Sequence, residues 1–359
     1  ADIDLDPNLP SRKVFDKAVI APDIDPFRVT AFTGVFNGTG HTISHLTLSG
    51  KTYLGLFGQL GSTASVSNLG LEAVEINGTG GYIGGLVGYN RGGHIGTSYA
   101  TGSVSATGNH VGGLVGCNWC GHIVTSYSSA LVSGTDNVGG LIGWDGGSSG
   151  SVTRCCSTGD VNGRNYVGGL IGINWNWDDY RGGPIRECYI SGAVSGDRYV
   201  GGLVGQNGVG ITASHSVAAV AGKGCVGGLV GVNEGRITTS YSTGVTSGDG
   251  TVGGLAGWNG GSVSQCYTTG AVRGGSDVAG LVGISNGGPE TACFWDIQTS
   301  GTLDGVGNID PDPSGGTGLT TAEMQTAATF LDAGWDFAGE TVNGPNDVWK
   351  IAEGLDYPR

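Results

Sequence analysis

Val111-Gly112-Gly113-Leu114-Val115-Gly116 is the stretch whose reading decides the fold. The same core returns, with small variations, with its leucine at Leu86, Leu114, Leu141, Leu170, Leu203, Leu229, Leu255 and Leu281, in steps of 28, 27, 29, 33, 26, 26 and 26 residues. Tyr53-Leu54-Gly55-Leu56-Phe57-Gly58 is a degenerate earlier copy, and Thr33-Gly34-Val35-Phe36-Asn37-Gly38 a shorter first one. Each core is followed by Ile-x-x-Ser-Tyr-x-Thr-Gly, as in Ile95 to Gly102 and Ile237 to Gly244, then by a short block such as Val194-Ser195-Gly196. Each repeat thus offers three short β-prone segments separated by Gly, Asn and Asp turns. A coil of that size cannot bury its own inner face, and stacking coils on one another solves the problem. The expectation is an all-β chain: a parallel β-helix, or solenoid, of about ten coils with a small C-terminal α+β appendage. A β-propeller is the competing reading, but its blades need about 40–50 residues and four strands each.

Composition agrees. Of 359 residues, 75 are glycine, which is too many for a helical protein because glycine costs about 1 kcal/mol per helix position. There is no Gly-X-Y period, and 10 prolines are too few for collagen. Disorder is disfavoured by 38% hydrophobic against 13% charged residues. The net charge of −14 argues against nucleic acid as partner. No run of about 18 apolar residues exists, so no membrane span is expected. Ala1 opens the chain without a charged and then apolar leader, although a mature N-terminus would start the same way. Five lysines, one methionine and a surface rich in Thr, Ser, Asn and Gly suggest an extracellular or cell-surface setting.

Stacking turns each repeat position into a column. One holds Ser98, Ser126, Cys155, Cys188, Ser214, Ser240, Cys266 and Cys293, all small enough for a crowded interior line. The next holds Tyr99, Tyr127, Cys156, Tyr189, His215, Tyr241, Tyr267 and Phe294, an aromatic ladder expected on the outer face. A third holds Asn90, Asn118, Asp145, Asn174, Asn207, Asn233 and Asn259, whose side chains can bond from coil to coil. Strict alternation would put Val111 and Val115 on one face and Leu114 on the other. Either the Gly-Gly pair forms a bulge that turns all three inward, or one apolar stripe lies outside and needs a partner.

At these residues the sequence resembles the GLUG-motif repeat proteins. The motif is carried by Gly85-Leu86-Val87-Gly88, Gly113-Leu114-Val115-Gly116 and their successors, over about residues 30–300. Phe32-Thr33-Gly34-Val35-Phe36-Asn37-Gly38-Thr39-Gly40-His41-Thr42-Ile43 resembles the usual entry to such repeats. The tail, with Cys293-Phe294-Trp295-Asp296, Gly318-Leu319-Thr320-Thr321-Ala322-Glu323-Met324 and Trp335-Asp336-Phe337, resembles what often follows them. The resemblance implies right-handed coiling and a place among bacterial surface proteins and adhesins. Such repeats also form the non-catalytic part of IgA1-specific metallopeptidases. That activity does not carry over, since none of the six histidines stands in a His-Glu-x-x-His motif.

The organisation follows. Residues 1–30, with Pro7, Pro10, Pro22 and Pro26, read as an N-terminal cap or lead-in, and 31–300 as the solenoid. Residues 301–318 read as a linker, and 319–359 as a capping segment with a short helix begun at Thr320 or Thr321. A fibre built end to end, or side by side, would need an end or face left open.

The candidate chemistry is sparse. Cys117-Asn118-Trp119-Cys120 has CxxC spacing but lacks the helix N-terminus or second ligand pair that redox or zinc chemistry needs. Cys155 with Cys188, and Cys266 with Cys293, hold equivalent positions in neighbouring coils. Disulfides and buried thiols both fit them. The longest repeat carries Asn174-Trp175-Asn176-Trp177-Asp178-Asp179-Tyr180-Arg181. With Tyr89, Trp119, Trp144 and Trp258 at a comparable turn, these aromatics could form a platform for glycans, Asn and Asp bonding the hydroxyls. The plain alternative is that the indoles cover an apolar corner. Asp178 and Asp179 could hold Ca²⁺, but a solvated acidic loop is the favoured reading. No cofactor is expected. Asp136, Asp160, Asp197, Asp249 and Asp277 are dispersed by the repeat and are not gathered into a catalytic pair. The reading is a non-catalytic structural or adhesive solenoid able to self-associate. A carbohydrate-binding or polysaccharide-degrading β-helix is the alternative.

Overall fold

The computed structural model describes residues 1–6, 8–9, 13–22, 30–175, 182–339, 343–344 and 347–359. It is a parallel β-solenoid. Each strand pairs in parallel with its equivalent one repeat away, as Val115 does with Val87 on one side and Ile142 on the other. One row of strands has nine members, from Phe57–Leu60 to Val282–Ser285, so the rod has about nine turns and not ten. The shorter first copy, near Val35–Ser44, enters a different row, which accounts for the difference.

A turn holds five short strands where the repeat suggested three. In one turn they are Val111–Gly112, Val115–Trp119, His122–Val124, Tyr127–Ser128 and Leu131–Ser133. Two breaks make the difference. The Gly112-Gly113 pair turns a corner between an eight-stranded and a nine-stranded sheet. A left-handed residue, such as Thr97 (φ 47°), Thr125 (φ 50°) or Arg154 (φ 52°), splits the second block. Such a backbone disfavours a side chain by about 1 kcal/mol or more, so the stacked turns must hold it in place.

The corner settles where the apolar columns go. Val111, Leu114 and Val115 are all fully buried, because the chain changes sheet between the valine and the leucine. No apolar stripe is left outside at these positions. One continuous core runs from Ile43 to Val306 through these columns.

The small-residue column is interior, and its chemistry repeats at every turn. Ser98 Oγ donates to Gly96 O at 2.9 Å, Ser240 Oγ to Thr238 O at 2.7 Å, and Cys188 Sγ to Arg186 O at 3.1 Å. Serine and cysteine are interchangeable here because either satisfies a carbonyl two residues back in a space of the same size. All eight cysteines are free thiols. On the outer face, Tyr99 and Tyr127 stack at 4.8 Å, and Tyr189, His215, Tyr241 and Tyr267 continue at 5.4, 4.7 and 4.9 Å.

At the C-terminal end, residues 304–307 stay bonded to the last turn: Gly280 N–H donates to Asp304 O and Gly307 N–H to Val282 O. Gly316–Leu319 then pairs with Cys293–Asp296. Thr321–Met324 begins at a capping box, with Thr320 and Glu323 each satisfying the other's backbone N–H. Together with Ala327–Leu331 it closes a second core of Tyr267, Phe294, Met324, Phe330, Trp335, Phe337 and Trp349. At the other end Ile3–Asp4 pairs with Ile43–Ser44, and Phe15, Ile20 and Phe32 bridge to the first turns.

Candidate functional site

The interior polar row is the first place where side chains with chemistry meet. Asn90 Nδ2 donates to Asn118 Oδ1 at 2.8 Å, and Asn118 Nδ2 to Asp145 Oδ1 at 2.6 Å. Further on, Asn207 donates to Asn233 and Asn233 to Asn259, each at 2.8 Å, and Asn259 donates to Glu290 Oε1 at 2.9 Å. All of these asparagines are fully buried. Their donors are used on one another, so the row binds turns and offers nothing to a ligand. The row is interrupted on both sides of Asn174. Asn174 Nδ2 donates to Gly183 O, as Asn90 does to Gly93 O, but not to Asn207, and Asn174 Oδ1 is buried with no partner. Burial pushes the Asp145 carboxyl up to about 7, against the opposing hydrogen bond from Asn118.

The aromatic residues lie in a shallow second layer outside the nine-stranded sheet. One row sits four residues before each leucine: Tyr82, His110, Asn137, Tyr166, Tyr199 and Cys225. Another sits three residues after it: Tyr89, Cys117, Trp144, Ile173, Gln206, Val232 and Trp258. The first row folds over the second. Tyr53, Tyr82 and His110 stack in sequence at 4.9 Å each, and His110 stacks on Trp144 at 5.1 Å. Burial holds the His110 imidazole down to about 4, so it is neutral in ordinary buffers. Burial also raises the Tyr82 phenol to about 12 and the Cys117 thiol well above its usual range, so neither is a nucleophile.

The tryptophans do not form one platform. Trp119 and Trp175 stand five residues after their leucines, not three, and so belong to a different column from Trp144 and Trp258. Trp119 meets Trp144 edge to face at 5.6 Å. Trp144 Nε1 donates to the carbonyl of Trp175 at 2.7 Å, and Trp175 itself is buried, its ring close against Gly208. These three cover a corner of the coil. Trp258 is four turns further along. Trp177, Asp178, Asp179 and Tyr180 lie outside the described residues. Among the described residues, no group of three or more His, Cys, Asp or Glu side chains could hold a metal.

Trp258 instead lines a cavity of about 310 Å³ with Tyr166, Tyr199, Gln206, Cys225 and Glu234. Tyr166 and Tyr199 stack at 4.9 Å beside it. Gln206 is 8% exposed; its Nε2 donates to Glu234 Oε1 at 3.2 Å, while its Oε1 has no partner. Burial raises the Glu234 carboxyl, and the Gln206 bond opposes this. The motif spacing did not point to this group, yet aligning the residues four before each leucine exposes the tyrosine row and its gap at Cys225.

No family model matches the chain. A stretch of 50 residues, 13% of the chain, is 48% identical to halomucin of Haloquadratum walsbyi and amounts to 0% of that protein's length after rounding. A crystal structure of a proposed immunoglobulin A1 protease from Bacteroides ovatus superposes with a TM-score of 0.38 and 19% identity, over 92% of this chain and 78% of that one. A likeness that loose transfers no activity.

Proposed function

We propose that the chain is a non-catalytic, extracellular rod with a structural or adhesive role. The observation that carries this is the turn-to-turn use of its polar groups. The Asn row bonds amide to amide between turns, Ser240 Oγ accepts from Ser214 N–H of the preceding turn while donating within its own, and the outer rings stack turn on turn. The result is a stiff scaffold with regularly spaced surface loops, the arrangement that suits presentation of contacts along a length. No helix among the described residues is long and apolar enough to cross a membrane.

A carbohydrate-binding role is the second reading, favoured by the aromatic cavity beside Tyr199. Among the described residues that line the cavity Glu234 is the one carboxylate, whereas glycoside hydrolysis ordinarily needs two, some 5–9.5 Å apart.

The test joins imaging to turnover. Negative-stain micrographs should show rods about 40–45 Å long from the solenoid alone, nine turns at about 4.8 Å. Beads coated with the protein should adhere to glycan- or protein-coated surfaces. The same protein should release neither reducing ends nor peptides from polysaccharide and protein panels. Multiple-turnover release, lost in a point variant, would overturn the non-catalytic reading. Coated beads that adhere no better than bare ones would overturn the adhesive one.

A further inference from the structure

The row of rings that begins at Tyr53, broken once by Asn137 and resumed at Tyr166, ends at Tyr199. Its next position is Cys225 and the one after is Thr251, both small. Among the described residues no ring stacks on the far side of Tyr199, whereas Tyr166 covers its near side at 4.9 Å. The 310 Å³ cavity lies there, with Val232 and Trp258 among its walls. Two turns separate the Tyr199 and Thr251 positions, about 9.6 Å at the spacing of paired strands. That leaves room for one ring between them.

We propose that this slot binds a neutral sugar ring, which takes the place in the stack that Cys225 leaves open. The inference rests on the adhesive reading above and supplies it with a ligand class. Its polar groups fit the assignment. Gln206 Oε1 is an acceptor with no donor, and Gln206 Nε2 donates to Glu234 Oε1. The Glu234 carboxylate is a second acceptor at the same wall. The ligand must therefore bring hydrogen-bond donors together with a flat apolar face. A pyranose has both: its C–H face packs on Tyr199 and Trp258, and its hydroxyls donate to Gln206 Oε1 and Glu234. An ammonium ion would satisfy the acceptors but has no face to fill a slot one ring thick. A uronic acid or sugar phosphate would meet the Glu234 charge on a chain of net charge −14.

The experiment is an array of neutral hexoses, deoxyhexoses and N-acetylhexosamines, with oligogalacturonate as the acidic control. Hits are followed by tryptophan-fluorescence titration of the full chain. At least one neutral glycan should bind and oligogalacturonate should not. Cys225→Tyr should abolish binding by filling the position with the ring its neighbours carry, with the circular-dichroism melt unchanged. Trp258→Ala should weaken binding about tenfold, the equivalent of about 1.4 kcal/mol. Glu234→Gln should let oligogalacturonate bind. A blank neutral array overturns the site, as does wild-type affinity in both Cys225→Tyr and Trp258→Ala. Bead adhesion to a glycan-coated surface that survives Cys225→Tyr would overturn the slot as the source of adhesion and leave the adhesive rod standing. Turnover of a bound glycan would remove the non-catalytic reading and leave the slot.

Discussion

Asp145 occupies a place that asparagine holds in the neighbouring turns, and its ionised carboxylate can accept from Asn118 Nδ2 but has nothing to give Asn174 Oδ1. Its folded pKa, about 7, lies above the ordinary carboxylate value of about 3.9. Protonation therefore favours the fold. The contribution is fully present below about pH 4 and is lost as pH rises through about 7. Asp145→Asn removes this dependence and supplies the missing donor. Urea melts at pH 8 should show the variant more stable by about 1–2 kcal/mol, with the gap narrowing at pH 5. A variant less stable than wild type at pH 8 would mean that the carboxylate is needed, for instance to accept from Gly183 N–H. The asparagine row is legible in the sequence because its members keep one offset from each leucine. The break at Asp145 is legible too, but not its consequence, which depends on burial.

Among the elements, the Gly-Gly-Leu-Val-Gly corner sets backbone directly against backbone of neighbouring turns. A Cβ on Gly116 would lie 2.6 Å from the Tyr82 carbonyl carbon and 2.7 Å from Gly88 O, all backbone of the preceding turn. Backbone paired on both sides has no room to yield, so Gly116→Ala should cost about 1–3 kcal/mol in a thermal or urea melt. Gly210→Ala is the control: its added Cβ meets nothing within 4 Å, and its stability should stay within about 0.5 kcal/mol of wild type. Equal melts for the two would show that the turns can spread to admit a methyl group. The solenoid was readable because repetition of leucine and glycine at one spacing survives every local variation. The five-strand turn was not. Its second break is made by left-handed Thr125, Arg154 and Glu187, residues whose identity announces no such backbone. The division of the tryptophans between two columns was hidden for a related reason. A shift of two residues, from three after the leucine to five, carries Trp119 and Trp175 into another column.

For the whole molecule, the question is how a stack of strands ends. Gly316–Leu319 lies on the edge of Cys293–Asp296, and Trp335, stacked on Trp349 at 4.5 Å, seals Tyr267 and Phe294 beneath it. Removing 316–359 would bare that edge and an aromatic patch. Light scattering after size exclusion should find the full chain monomeric and the truncated chain self-associating. A truncated chain that remains monomeric would show that the cap is not what keeps rods apart. The interior asparagines add a constraint of another kind. Between turns they donate in one direction only, towards the C-terminal turn, and each run halts at an acidic acceptor: Asn90 and Asn118 at Asp145, Asn207, Asn233 and Asn259 at Glu290. Repeats of this kind grow by copying. A copied turn that carries Asn233 slips into its run and lengthens it without a fault. A copy of the Asp145 turn sets two buried carboxyls face to face, and only a proton taken up between them can join the run. The grammar of the interior thus decides which duplications a lineage can keep, and where along the rod new length can enter.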